Sequence, residues 1–304
     1  MTVDLSLVEL VLASGAASLI GHARARRQVT RWRKNRSQVS DQVPILFLHG
    51  LRGGAQTMTQ MVQAVKKSWH EHVLVIHVNH AGKLKITGEW NPADAHPLVQ
   101  INFGNNQART TLQMVWLKKV LIYLRTQHGV QNYDAVGHSA GCVTLVDFAE
   151  TYNDDRKLPS LRRLVTIAGP FNGVLGMNES YNTNQLDEMG CPVVIYPANF
   201  WFPSYASLLE NQAAFPTNVD VLNIYGDIGD GSHSDKYIST ASARSLRYLL
   251  GDQPQSYHEI RFRGDDAEHS ELHDNHEVMR LVRQFLATPI AEAPQPEVEQ
   301  AVEN

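Results

Sequence analysis

The chain has 304 residues, 43% of them hydrophobic and 19% charged, with a formal net charge of −4. At about 150 residues per domain this length allows one large domain or two small ones, with a sizeable core, and the weakly acidic balance gives no field that would attract phosphate backbones, so no nucleic-acid partner is expected. Two cysteines, Cys142 and Cys191, cannot build a disulfide framework, and the fourteen histidines are scattered without a pair at metal-ligand spacing.

Residues 5–20 (LSLVELVLASGAASLI) are mostly apolar, yet they fall short of the ~20 needed to span hydrocarbon, and they carry Glu9. Asp4 precedes this run and the basic residues Arg24, Arg26, Arg27, Arg31, Arg33, Lys34 and Arg36 follow it, the reverse of a cleavable secretory signal. Three readings stay open: a helix packed on the domain, a membrane-surface helix with a polybasic tail, or a marginal anchor. Residues 1–42 are therefore expected to be a membrane-proximal or amphipathic segment with a basic linker, associating with a membrane surface, if at all, through residues 1–36. The domain itself is expected in the cytoplasm.

From residue 43 onward, short apolar runs alternate with longer amphipathic ones. Strands are expected at 43–48 (VPILFL), 72–78 (HVLVIHV), 133–136, 161–168, 219–225 and 257–262. Helices are expected at 56–69, 108–127, 237–250 and 274–286, where apolar residues recur near a 3.6 period. This βα alternation predicts an α/β fold, a doubly wound, mostly parallel sheet flanked by helices over residues 43–287. Residues 79–106 and 169–216 break the rhythm and read as binding loops, the second as a lid or cap insertion. After 287, TPIAEAPQPEVEQAVEN is too rich in Pro and Glu to pack, so 288–304 is expected to be a disordered tail.

Gly137-His138-Ser139-Ala140-Gly141 matches G-x-S-x-G between a predicted strand and a helical run, the setting in which a sharp turn exposes a nucleophilic serine. Ser139 is the candidate nucleophile. Two backbone donors should hold the oxyanion, one from the residue after the nucleophile and one from an earlier strand-end loop. Ala140 and Leu51, the latter in His49-Gly50-Leu51-Arg52-Gly53-Gly54, are the candidates. A serine hydroxyl needs a base, and the base an orienting acid, in the chain order Ser, acid, His. Asp235 is preferred as the acid because it lies just before a new helix, with Asp227 and Asp230 as alternatives. His269 is preferred as the base because it comes earliest in its loop, ahead of His273 and His276. His49 and His138 are read as backbone supports.

The segments FLHGLRGG, HPLVQINFGNNQA, YDAVGHSAG, TIAGPFNG, VLNIYGDIGDGSHSD and EHSELHDNHEVMRLVRQFL resemble the α/β-hydrolase superfamily, and more narrowly the DUF915 family of cell-surface hydrolases. The resemblance implies a triad of Ser139, Asp235 and His269, and a surface location at odds with the missing signal. This chain departs from the pattern with Asp235-Lys236 where such families commonly show Asp-Gly. The expected activity is cleavage of a carboxylic ester, with a small-molecule or lipid-like acyl substrate and no cofactor. An amidase, thioesterase or acyltransferase on the same residues, or a binding protein that retains the fold, are the alternatives.

Overall fold

The first core strand, β1 (Ile45–Leu48), is buried along its whole length, and its side chains divide between two cores. Ile45 and Phe47 point into one, Leu46 and Leu48 into the other, as the period-two alternation of a strand in a doubly covered sheet requires. A computed structural model describes residues 40–287. The expectations for the amino-terminal appendage up to residue 39 and for the tail from 288 lie outside the described residues. Ser40 and Gln42, expected in the linker, belong to the folded part: Ser40 bridges to Val130, and the Gln42 side chain donates to the carbonyls of Asn91 and Asp94.

Seven further strands complete one sheet: β2 (Val73–Val78), β3 (Leu84–Gly88), β4 (Leu98–Phe103), β5 (Asn132–His138), β6 (Ser160–Ile167), β7 (Asp220–Asp227) and β8 (Ser256–Arg263). The order is β3-β2-β4-β1-β5-β6-β7-β8, and only β3 runs antiparallel to its neighbour. Helices α1 (Thr59–Trp69) and α7 (His276–Ala287) bury Met61, Val62, Val65, Val278 and Val282 against one face. Helices α2 (Thr110–His128), α3 (Ala140–Tyr152) and α5 (Thr240–Leu250) cover the other face with residues such as Leu117, Leu145 and Leu246. The short helices α4 (Tyr205–Leu209) and α6 (Glu271–Asp274) lie in the later connections.

The expected doubly wound sheet is therefore the observed one, but 79–106 is not a binding loop. It contains β3 and the central strand β4, whose residues are all buried. Gln100 and Asn102 interrupt the apolar run there. Gln100 is accommodated because its amide donates to the carbonyl of Ala55 in the loop before α1. Trp90 stacks on His128 at 4.1 Å between ring centroids and donates to Gln42, at the end of the sheet where β1 begins. It packs there, away from the strand ends that carry the candidate site. Residues 169–216 are largely irregular, with α4 and one short 3₁₀ turn at Gln212–Ala214.

Chain direction places a crevice at the carboxyl ends of β1 and β5. The chain leaves β1 toward α1 on one face and leaves β5 toward α3 on the other. Loops that part to opposite faces open the gap in which ligands bind in open α/β sheets.

Candidate active site

Ser139 occupies the turn between β5 and α3 with φ 53° and ψ −123°, a region that residues with a side chain rarely enter. The turn is held from outside. The Ser139 N–H donates to the Ile167 carbonyl at 2.9 Å, and the Cys142 N–H to the Ser139 carbonyl at 2.9 Å. Among the described residues Ser139 Oγ takes part in no hydrogen bond, so its proton and lone pairs remain unspent. Ala140, the first residue of α3, has an N–H without an intrahelical acceptor.

The loop after β1 comes directly against this turn. A Cβ on Gly50 would lie 2.6 Å from Ser139 Cβ and 3.2 Å from Oγ, so only glycine permits the approach. His49 fixes the peptide that follows. Its Nε2 accepts from the Phe103 N–H at 3.0 Å, which puts the ring proton on Nδ1, and Nδ1–H donates to the Gly50 carbonyl at 2.8 Å. Gly53 N–H donates to the same carbonyl. A trans peptide carries its N–H opposite its carbonyl, so these two donors also set the direction of the Leu51 N–H. Burial lowers the His49 pKa, against a smaller opposing effect of the Gly50 bond, and so favours the neutral ring. From β4's far end, Asn106 accepts from the Arg52 N–H at 2.8 Å and donates through Nδ2 to the Gly53 carbonyl at 2.7 Å. Asn106 belongs to HPLVQINFGNNQA, one of the family-like segments, for which the sequence suggested no role.

Asp235 and His269 come together. His269 Nδ1–H donates to Asp235 Oδ2 at 2.8 Å, which in the neutral ring leaves the lone pair on Nε2. The other carboxylate oxygen, Oδ1, accepts the Tyr237 and Ile238 N–H groups at 3.0 and 2.7 Å, and the carboxylate is almost completely buried. The backbones pair as well, His269 N–H to Asp235 carbonyl at 3.0 Å. A second close approach lets the base loop in: a Cβ on Gly226 would sit 2.1 Å from the Ala267 carbonyl and 3.1 Å from Asp235 Cβ. Lys236 has φ 85°, the left-handed region that glycine fills at less cost. The exposed Tyr237 ring stands edge-on to His269, 5.5 Å between centroids.

The alternatives are engaged elsewhere. Asp227, at the end of β7, pairs with Arg261 on β8 and accepts the Gly229 N–H. Burial would raise its pKa, but those partners more than offset it and hold the carboxyl below its ordinary value. Asp230 lies on the surface, capping the Ser232 N–H. His273 is buried, not solvated, and bonded to Asp274 at 2.9 Å, while His276 is the exposed first residue of α7. His138 links the Ser139 turn to the His269 loop: its Nε2–H donates to the His269 carbonyl at 3.0 Å. Burial, reinforced by the charges His269 and His273 would carry, keeps its pKa well below the ordinary value.

Among the described residues no group of three or more His, Cys, Asp or Glu is arranged to hold a metal, and no helix is long and apolar enough to cross a membrane. The sheet order and the strand-to-helix turn define an α/β-hydrolase fold.

The family described as "Alpha/beta hydrolase of unknown function (DUF915)" matches residues 33–288, and the chain belongs to it. The product of gene lin2722 from Listeria innocua superposes with a TM-score of 0.69 at 27% identity, over 81% of this chain and 94% of that one. A Lactobacillus plantarum WCFS1 protein, provisionally called a cell surface hydrolase, superposes with a TM-score of 0.64 at 23% identity, over 85% of this chain and 95% of that one. No curated protein matches the chain.

Proposed function

We propose that this α/β hydrolase cleaves a carboxylic ester of a small molecule through an acyl-enzyme on Ser139. The observation that carries the reading is the Asp235–His269 pair, a half-buried imidazole joined at 2.8 Å to a buried carboxylate, in the loop that His138 fastens to the Ser139 turn. Ser139 Oγ attacks the ester carbonyl and gives its proton to His269 Nε2. Asp235 holds the ring tautomer and stabilises the imidazolium. The N–H groups of Leu51 and Ala140 receive the oxyanion. The imidazolium then returns its proton to the leaving alcohol, and water attacks the acyl-enzyme by the same route in reverse. Every step draws on the chain's own side chains and backbone.

Residues 169–216 form a cap beside the site in this reading. Its support is the tie between the Leu175 N–H and the carbonyl of Tyr237, two residues beyond the acid. Within the cap Asn172 acts as a hub, its side chain donating to the Val194 carbonyl and accepting from the Tyr196 N–H.

The test is reaction with a fluorophosphonate, which phosphonylates activated serines with loss of fluoride. Ser139 is expected to label, and Ser139→Ala to lose both the label and the hydrolysis of p-nitrophenyl esters. A folded wild-type chain that neither labels nor hydrolyses any of a series of acyl lengths refutes the reading.

A further inference from the structure

The base and the nucleophile have no hydrogen bond between their own side chains, yet they sit on elements far apart in sequence and need a common register. What joins them is the residue before the nucleophile. His138 closes β5 and faces the same side of the sheet as Val136, the side on which α6 and α7 pack. Its ring lies 4.8 Å from the His269 ring and 4.6 Å, edge to face, from His273 on α6. The Nε2–H donates to the backbone carbonyl of His269, which can only accept, so the proton is on Nε2. Nδ1 is then an acceptor, buried and without a partner. An unpartnered buried nitrogen costs stability, and a phenylalanine would fill the same space without it. The cost is offset by what the other nitrogen does.

We propose that His138 is the positioning residue of this site. It holds the His269 backbone to the nucleophile strand, so that Nε2 of His269 stands at attack distance from the Ser139 hydroxyl whether or not substrate is present. The bond completes a three-point mount for the base: its N–H on the Asp235 carbonyl, its Nδ1–H on the Asp235 carboxylate, and its carbonyl on His138. Remove the third point and the His269 residue itself is bonded to the acid alone, with more freedom to turn about the Asp235 contacts. Histidine fits because its ring supplies a donor at fixed reach and, buried among His49, His269 and His273, does not take up a second proton when His269 becomes an imidazolium during turnover.

The inference rests on the proposed ester hydrolysis for its kinetic arm and on geometry alone for its spectroscopic one. Three variants separate tether from shape: His138→Phe and His138→Leu remove the donor, one keeping the ring and one not, and His138→Gln returns an N–H at the place of Nε2. With a p-nitrophenyl ester, kcat should fall roughly 10- to 100-fold in the Phe and Leu variants with KM little changed, and recover most of the loss in the Gln variant. The proton NMR resonance of the His269–Asp235 hydrogen bond, far downfield in the wild type, should broaden or vanish in the Phe and Leu variants and return with Gln. Either variant that folds suffices. If the resonance and kcat in a folded Phe or Leu variant equal the wild type, or if Gln restores neither, the tether is refuted. A wild type that hydrolyses no ester refutes the proposed function instead, and the resonance still decides the tether.

Discussion

At the scale of single residues, three aspartates follow the same late strand, and what separates them is what each carboxylate is already bonded to. Asp235 is wrapped by two backbone N–H groups and has one oxygen left for His269; Asp227 is committed to Arg261. The proposed roles therefore predict opposite signatures. Asp235→Asn should lower kcat by roughly 10³- to 10⁴-fold, because an amide can present its N–H to the ring and select the wrong tautomer, with a melting temperature close to wild type. Asp227→Asn should leave kcat within a few-fold but unfold earlier, since Arg261 loses its counter-charge. Steady-state kinetics and thermal melts on the two proteins check this. The preference for Asp235 was legible in sequence from its place before a helix. That Asp227 is spent was not, because its partner arrives from the neighbouring strand and no local spacing announces a cross-strand pair.

At the scale of elements, the loop after β1 shows how backbone donors are aimed by side chains from other elements. Asn106 lies past the end of β4, yet it fastens both ends of the Arg52-Gly53 unit. Asn106→Ala should remove the side-chain bond to the Gly53 carbonyl while its backbone carbonyl still accepts from the Arg52 N–H, and so lower kcat by up to roughly tenfold, less than the loss of one oxyanion donor, with KM nearly unchanged; a KM effect alone would argue for substrate contact in its place. The sequence marked His49, Gly50 and Leu51 by the glycine pattern, and it placed Asn106 in a family-like segment, but the two meet only through strand pairing. The same pairing hid β4 itself. Its Gln100 and Asn102 weaken the apolar signal, and the Gln100 amide is satisfied by the Ala55 carbonyl and Thr59 Oγ1, brought in by the loop before α1 and by α1 itself. Elements with strong periodicity, such as α5 and α7, were legible. Polar residues whose partners lie elsewhere were not.

At the scale of the whole molecule, a buried carboxylate beside one of the two cores ties stability to pH. Glu150 on α3 is buried, neither carboxylate oxygen has a hydrogen-bond partner, and burial together with nearby Asp147 pushes its pKa up to about 8 from an ordinary value of 4.5. A folded-state pKa above the unfolded one gives stability that is fully present below about pH 4.5 and is lost as pH rises through 8. Glu150→Gln should therefore gain on the wild type across that window, by a few kcal/mol at its upper end, and the gap between their denaturation midpoints should widen from pH 5 to pH 8. A gap constant with pH would mean that Glu150 is ionised throughout. The nucleophile turn has a parallel consequence. Ser139 holds a backbone conformation costing about 1–3 kcal/mol for a residue with a side chain, a conformation that glycine enters freely. On the role proposed for Ser139, durability and reactivity compete at a single α-carbon: Ser139→Gly should melt above Ser139→Ala.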